Sequence, residues 1–304
     1  MNMRPKTKRR LLILFVGVFL LCGLGVGAFI LGQQKTERLL DERRKAGMEA
    51  FAKGDYATSL LTLSKYVNKR PQDFEALLAY GKSRMKVEDP LGRHISEPID
   101  AFRQYLELKP GDIEAQHLLL ELFPQNQQYS EAIKLADEVL AKNPNDTKAL
   151  TSKSQALSAT GRYEEALKCS QHLNEVDPTD LEGQSQTFGA MQRLNKPTKE
   201  ILDRAVGLQK QYPEDARFQM LLGLAYRYAG SQETDPEARQ AAAKSCVEWM
   251  LKAKSTAMAS KAPDPEFIRQ LASYFDELWM FSESQKLLEQ AARSDDPDLV
   301  RMYV

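Results

Sequence analysis

Two hydrophobic patterns divide the chain. From Leu11 to Gly32 the run "LLILFVGVFLLCGLGVGAFILG" contains no charged residue. At about 1.5 Å per residue a helix of that length reaches roughly 30 Å, one hydrocarbon core, so residues 11–32 are predicted to form one membrane-spanning helix. From about Arg38 onward the pattern changes to apolar residues spaced i, i+3 and i+4 between charged ones, which predicts amphipathic helices. Tyr163, Ala166, Leu167, Leu173 and Val176 make one such stripe. Between stripes stand short turn signals: "PGD", "PND", "PTD" and "PED", each ending one helix and offering an aspartate to cap the next.

The stripes recur with a period. An aromatic residue stands fifteen positions before a proline at Tyr56 and Pro71, Tyr129 and Pro144, and Tyr163 and Pro178. Pro110 and Pro213 join the same series, whose spacings are 39, 34, 34 and 35 residues. A second marker keeps step upstream: Gly47, Gly81, Leu120, Ser154, Gly189, Gly223 and Ala272. A period near 34 residues with two amphipathic segments per unit predicts a helical repeat array. A hairpin of that size cannot bury its stripe alone and needs stacked neighbours.

A small residue in the first helix, glycine then an aromatic at the turn, alanine in the second helix and proline at the end resembles the tetratricopeptide repeat (TPR) family. Leu150, Ser154, Leu157, Gly161, Tyr163, Ala166 and Pro178 carry the pattern in one unit, and Leu222, Gly223, Tyr226 and Gly230 in another. The resemblance covers about 260 residues and implies an all-α fold: a right-handed TPR α-solenoid of about seven repeats over 33–304, preceded by the one transmembrane helix. Some units depart from the pattern. "EDPLGRHISE" reads as an insertion, the sixth unit stretches to 49 residues between Gly223 and Ala272, and Gly183 and Pro197 interrupt the fifth.

The anchor sets the expected location. Residues 1–10 form a basic tail with Arg4, Lys6, Lys8, Arg9 and Arg10 and no acid, which predicts a cytoplasmic N-terminus and periplasmic or exoplasmic repeats, as in a bacterial inner membrane. Basic residues also follow the span, so a cytosol-facing receptor or co-chaperone stands as the alternative. Cleavage as a signal peptide after Ala28 is the competing reading of the run itself. Gly23 and Gly27 form a GxxxG pair through which two chains could pack as a homodimer, although glycine is common in spanning helices anyway. Between Gly32 and Gly47 either one unbroken helix joins anchor to array, or the chain breaks near "GQQK". The last stretch, "RSDDPDLVRMYV", reads as a short cap or as the start of a further repeat, the latter making this the docking region of a longer protein.

Charge and motifs narrow the function. Lysine plus arginine equal aspartate plus glutamate at 42 each, so nothing draws the chain to nucleic acid. Cys22, Cys169 and Cys246 cannot build a disulfide framework. Cys169 and His172 share a C-x-x-H spacing, but no further ligands stand at zinc spacing, and no metal or cofactor is expected. No GxxxxGKS/T, HExxH, GxSxG or GxGxxG motif with structural meaning occurs, and Glu164 and Glu165 point about 100° apart on a helix. An enzyme is not expected. Glu164 and Lys168 read as an i, i+4 surface pair.

The TPR resemblance implies a protein or peptide partner in a groove lined by first helices. Counted from each unit's small-residue marker, the family's groove positions fall on Lys82, His117, Lys148, Thr151, Gln155, Arg193, Arg217, Arg227, Tyr228 and Arg269. That largely basic set suggests an acidic or carboxylate-ended partner, or else a solvated face with no strong preference. The expected function is a membrane-anchored scaffold that recruits proteins to an envelope complex.

Overall fold

The computed structural model describes residues 31–260 and 264–292. They are all-α, with fourteen helices and no strand among the described residues. Helix α1 runs over residues 31–52, followed by α2 (Tyr56–Val67), α3 (Phe74–Lys86), α4 (Arg93–Leu108) and α5 (Ile113–Gln125). Next come α6 (Tyr129–Leu140), α7 (Thr147–Ala159), α8 (Tyr163–Val176), α9 (Leu181–Arg193) and α10 (Thr198–Gln211). The series ends with α11 (Ala216–Gln232), α12 (Pro236–Ala259), α13 (Pro265–Glu277) and α14 (Phe281–Ala292). The chain divides into two compact units, one running to Leu135 and the other from Ala136.

The turn chemistry holds each helix start. Asp112, Asp146, Asp180 and Asp215, the aspartates of the four proline turns, cap α5, α7, α9 and α11 by accepting backbone N–H groups of the first turn. In the first unit Asp112, and Asp73 that caps α3 in the same way, are also latched to the preceding helix. The Tyr66 hydroxyl donates to Asp73 at 2.8 Å, and the Tyr105 hydroxyl donates to Asp112 at 2.8 Å. Arg44 reaches from α1 to the same Asp73, and to Glu75 at 2.7 Å. In the second unit the latch is a glutamine. Gln184 donates to the Pro178 carbonyl at 3.0 Å, and Gln219 to the Pro213 carbonyl at 2.8 Å, so each first helix is tied to the turn before it.

Helix hairpins close where the eighth residue of the first helix is small. At Gly81 an added Cβ would lie 2.5 Å from the Phe102 ring, and at Gly223 it would lie 3.1 Å from the Met250 sulfur. The Ser154 hydroxyl donates to the Ala166 carbonyl at 3.2 Å, another close crossing. Gly47, further along the longer α1, makes the same close crossing against Leu63. The fifth hairpin differs, and here the predicted marker is corrected. Counting from the observed start of α9, the eighth residue is Phe188, and Gly189 is exposed with nothing within 4 Å of its would-be Cβ. With a phenyl ring at that place, α9 and α10 approach each other less closely than α7 and α8 do. Gly183 does not interrupt α9. It is the point where α9 docks on α8, because a Cβ there would lie 2.7 Å from Leu173. Pro197 stands just before α10 rather than inside it.

Both predicted irregularities have structural causes. The insertion after α3 is pinned by buried Arg84, which pairs with Asp89 at 3.1 Å and Glu97 at 2.7 Å and donates to the Val87 carbonyl. Arg93 also binds Asp89 and, together with the Leu91 N–H, holds that carboxyl down at about 2. The long sixth unit is a longer hairpin: α11 has 17 residues and α12 has 24, with Gly230 beside Ala242 at a further close crossing. In the surface stretch at α8, Glu165 takes both ends of the Arg162 guanidinium at 2.7 Å, in place of the expected pair between Glu164 and Lys168.

The membrane expectation is corrected. No described helix is long and apolar enough to cross a membrane, so the single-pass location, with a cytoplasmic N-terminus and periplasmic repeats, is not carried forward. Leu31 and Gly32 of the predicted span lie in α1, whose described part is rich in charge and continues through "GQQK" without a break. The rest of that span, the Gly23 and Gly27 pair and the closing "RSDDPDLVRMYV" lie outside the described residues.

Two outcomes follow from caps and close crossings. Gly81→Ala forces a methyl into the buried Phe102 ring and should lower stability by about 1 kcal/mol net, whereas Gly189→Ala meets open space and should raise it by about 0.5–1 kcal/mol; denaturant titration of both variants checks the opposite signs. Asp112 is held below the ordinary carboxylate range by the Ala115 N–H it accepts, helped by the Tyr105 hydroxyl and opposed by burial. A depressed folded value means its contribution is full above about pH 4, the unfolded value, and fades as pH falls through the folded one. Asp112→Ala should therefore cost about 1 kcal/mol at neutral pH, with the gap to wild type narrowing in acid. Asp112→Asn keeps an acceptor oxygen and should lose less at neutral pH.

Candidate protein-binding cleft

The ten groove positions read from the sequence do not meet in one place. Arg227 and Tyr228, on α11, line a cleft of about 460 Å³ between α9, α11 and α13. Lys82 lines a smaller hollow of about 290 Å³ in the first unit, with Phe51, Tyr56 and Leu118. Arg217 lines another hollow, at the turn before α11, beside Tyr212 and Phe267. His117 is half-buried on α5, and Lys148 and Gln155 are exposed on α7. The Thr151 hydroxyl donates to the Thr147 carbonyl of its own helix. Arg193 is exposed at the end of α9, and Arg269 is exposed on α13, bound to Glu266.

Several of the cations are already occupied. Lys82 pairs with Glu114, Arg217 with Asp215, Arg227 with Glu277 at 2.7 Å and Arg269 with Glu266. Four of the six lysines and arginines in the set are thus matched by carboxylates of the same chain, which removes much of the pull on an acidic partner.

The 460 Å³ cleft is built from both helical faces that the repeat turns towards it. Its floor is apolar: Phe188, Leu221 and Ala225 are buried, and Leu224, Tyr228 and Tyr274 are half-buried around them. Its rim is polar, with Ser185, Gln192, Ser231 and Arg227. Gly189 leaves the floor open, since a side chain at that position would project into unfilled space. Burial pushes the Tyr274 phenol up, and the Glu277 carboxylate beside it pushes in the same direction, so the hydroxyl stays protonated and can donate.

Ser185, Phe188, Gly189, Gln192, Leu224 and Tyr274 were missing from the sequence-derived set. A readable signal existed for Leu224, one residue past its marker Gly223 as Lys82 and Gln155 are past theirs, and for three more. Once the register is counted from Phe188 instead of Gly189, the offsets that select groove positions elsewhere fall on Ser185, Gly189 and Gln192. On α11 the offsets that give Gly189 and Gln192 fall on Leu224 and Arg227, with Tyr228 one residue further on. Cys169 lies away from this cleft; its thiol donates to the Leu150 carbonyl at 3.3 Å, and burial pushes it up to about 11, so it is a packing residue. No cluster of three metal-ligating side chains occurs among the described residues.

Residues 125–185 match the family model for the tetratricopeptide repeat. Among solved structures, a tetratricopeptide repeat protein from Parabacteroides merdae is similar at 12% identity, over 88% of this chain and 98% of that one, with a TM-score of 0.58. That likeness gives the fold: a TPR-like array of helix pairs. The MamA protein from AMB-1 is 18% identical over 56% of this chain and 98% of its own, with a TM-score of 0.46. No curated protein matches the sequence.

Proposed function

We propose that the protein is a non-catalytic scaffold that binds partner proteins, and that the cleft between α9, α11 and α13 is its principal docking site. TPR-type arrays bind through the surface their first helices present, and protein partners follow from that fold. The observation that carries the reading is the cleft itself. Two successive first helices place the same offset positions around one opening, with an apolar floor, a polar rim and a glycine that keeps it unfilled. Such a site suits a partner segment that inserts an apolar or aromatic side chain, with the backbone of the segment held by Gln192, Ser185 and the Tyr274 hydroxyl. Because Arg227 is paired with Glu277, charge serves orientation rather than attraction.

Filling the cleft tests this without disturbing the fold. Gly189→Leu places its side chain in open space, improves helix propensity, and should leave stability equal or higher while abolishing docking. A photocrosslinking residue at exposed Gly189's neighbour on the rim, Gln192, should capture a discrete partner in cells. The same probe in a Gly189→Leu background should capture none, and a probe at Glu138 on α6 should give a different or empty pattern. An identical adduct from the open and the filled cleft would remove the proposal.

A further inference from the structure

We propose that a second cleft, lined by α8, α9 and α10, binds an oxyanion, a carboxylate or phosphate group, on the guanidinium of Arg204. The cleft holds about 590 Å³ and is polar where Arg204, Gln184 and Asn174 meet. Arg204 is half-buried, and its one hydrogen bond runs from Nη2 to the Gln184 Oε1 at 2.9 Å. Its Nε is buried without a partner, and no carboxylate pairs with it. Burial alone pulls its guanidinium below the ordinary value. A cation taken partly out of water with only a neutral amide beside it is costly unless an anion completes it.

The arginine is not needed for the glutamine latch. Gln184 is bound by its other end to the Pro178 carbonyl, and the equivalent glutamine one repeat later, Gln219, makes the same latch to Pro213 while its Oε1 has no partner at all. The latch therefore forms without an arginine on the amide oxygen. The floor of the cleft is rigid. Asn174 donates to Thr187 at 2.8 Å, Thr187 donates to Ser170 at 2.8 Å, and the Asn174 Oδ1 is left buried and unpaired. Gly207 leaves the α10 wall open, with nothing within 4 Å of its would-be Cβ. An oxyanion entering the cleft would give the Arg204 guanidinium the charged partner it lacks, as a phosphate or a peptide acid does. Glu175 stands exposed at the rim and opposes any anion, so it limits affinity. The site is separate from the partner cleft and does not rest on it.

The thermal midpoint of the full-length protein in sodium phosphate, sodium acetate and sodium chloride at equal ionic strength tests the site. A rise of about 2 °C over chloride is expected in the oxyanion that binds, the shift from a ligand at about tenfold its Kd for a protein of this length. A rise in phosphate alone assigns a phosphate group, in acetate alone a carboxylate, and in both the shared chemistry. Arg204→Met should abolish the rise. Gly207→Leu, which fills the wall, should abolish it while keeping the midpoint in chloride equal or higher, and it decides alone if Arg204→Met does not fold. Glu175→Gln should enlarge the rise. Equal midpoints in all three salts, or a rise that survives Gly207→Leu, overturn the proposal.

Discussion

How closely two helices of a hairpin can cross depends, in this chain, on what stands eighth in the first of them. At that place there is no room for a side chain between Gly81 and the Phe102 ring, and little between Gly223 and Met250. Backbones that meet there bury the apolar stripe of the second helix against the first, and Phe102, Met250 and Leu63 become fully buried anchors. The hairpin then presents a second apolar face to the next unit, which the caps hold in position. Stacking is thus a consequence of close crossing followed by latching, and both are local events repeated along the chain.

The latches differ between the two compact units in chemistry but not in effect. In the first, tyrosine hydroxyls reach forward to capping aspartates, and burial with that hydrogen bond pushes Tyr105 up to about 12, so the phenol stays protonated at neutral pH and can donate. In the second, buried glutamines reach back to proline carbonyls. Either way, the turn that breaks one helix is fixed to the helix that follows. Proline cannot donate, so its carbonyl and the aspartate after it are what the turn offers, and both are used.

Much of this was legible in the residues. The 34-residue period, the proline turns, the capping aspartates and the all-α class follow from spacing and from side chains with one evident local job. The register of α9 did not, because a glycine sat one residue past the place where glycine was expected and Phe188 occupied the place itself. A spacing rule prefers the small residue, while the helix start, fixed by the Asp180 cap, prefers Phe188; only the cap decides. That slip moved the groove positions on α9 by one residue, about 100° of helix, and hid Ser185, Gly189 and Gln192. Ion pairs were illegible for a different reason. Arg227 and Glu277 lie fifty residues apart, and no periodicity announces that the two meet.

The fifth unit, which departs from the crossing rule with Phe188 as α5 does with Leu120, is also the one that carries both clefts. With Phe188 at the crossing, α9 and α10 stand apart, and the space so created cannot be filled by the stripe residues of a regular repeat. On one side of α9 that leaves Gly189 facing an opening towards α11 and α13. On another it leaves Arg204 reaching Gln184 across a gap that a regular hairpin would close. A regular array stacks most tightly where every unit obeys the same rule, so a unit that departs from it gives up packing that its neighbours keep. Departures of this kind are expected where a binding surface needs volume, and the fifth unit borders two openings, one of them lined by residues with buried, unpartnered polar atoms. The physical case for function in this molecule therefore rests less on the repeats that match their pattern than on the one whose glycine is out of step.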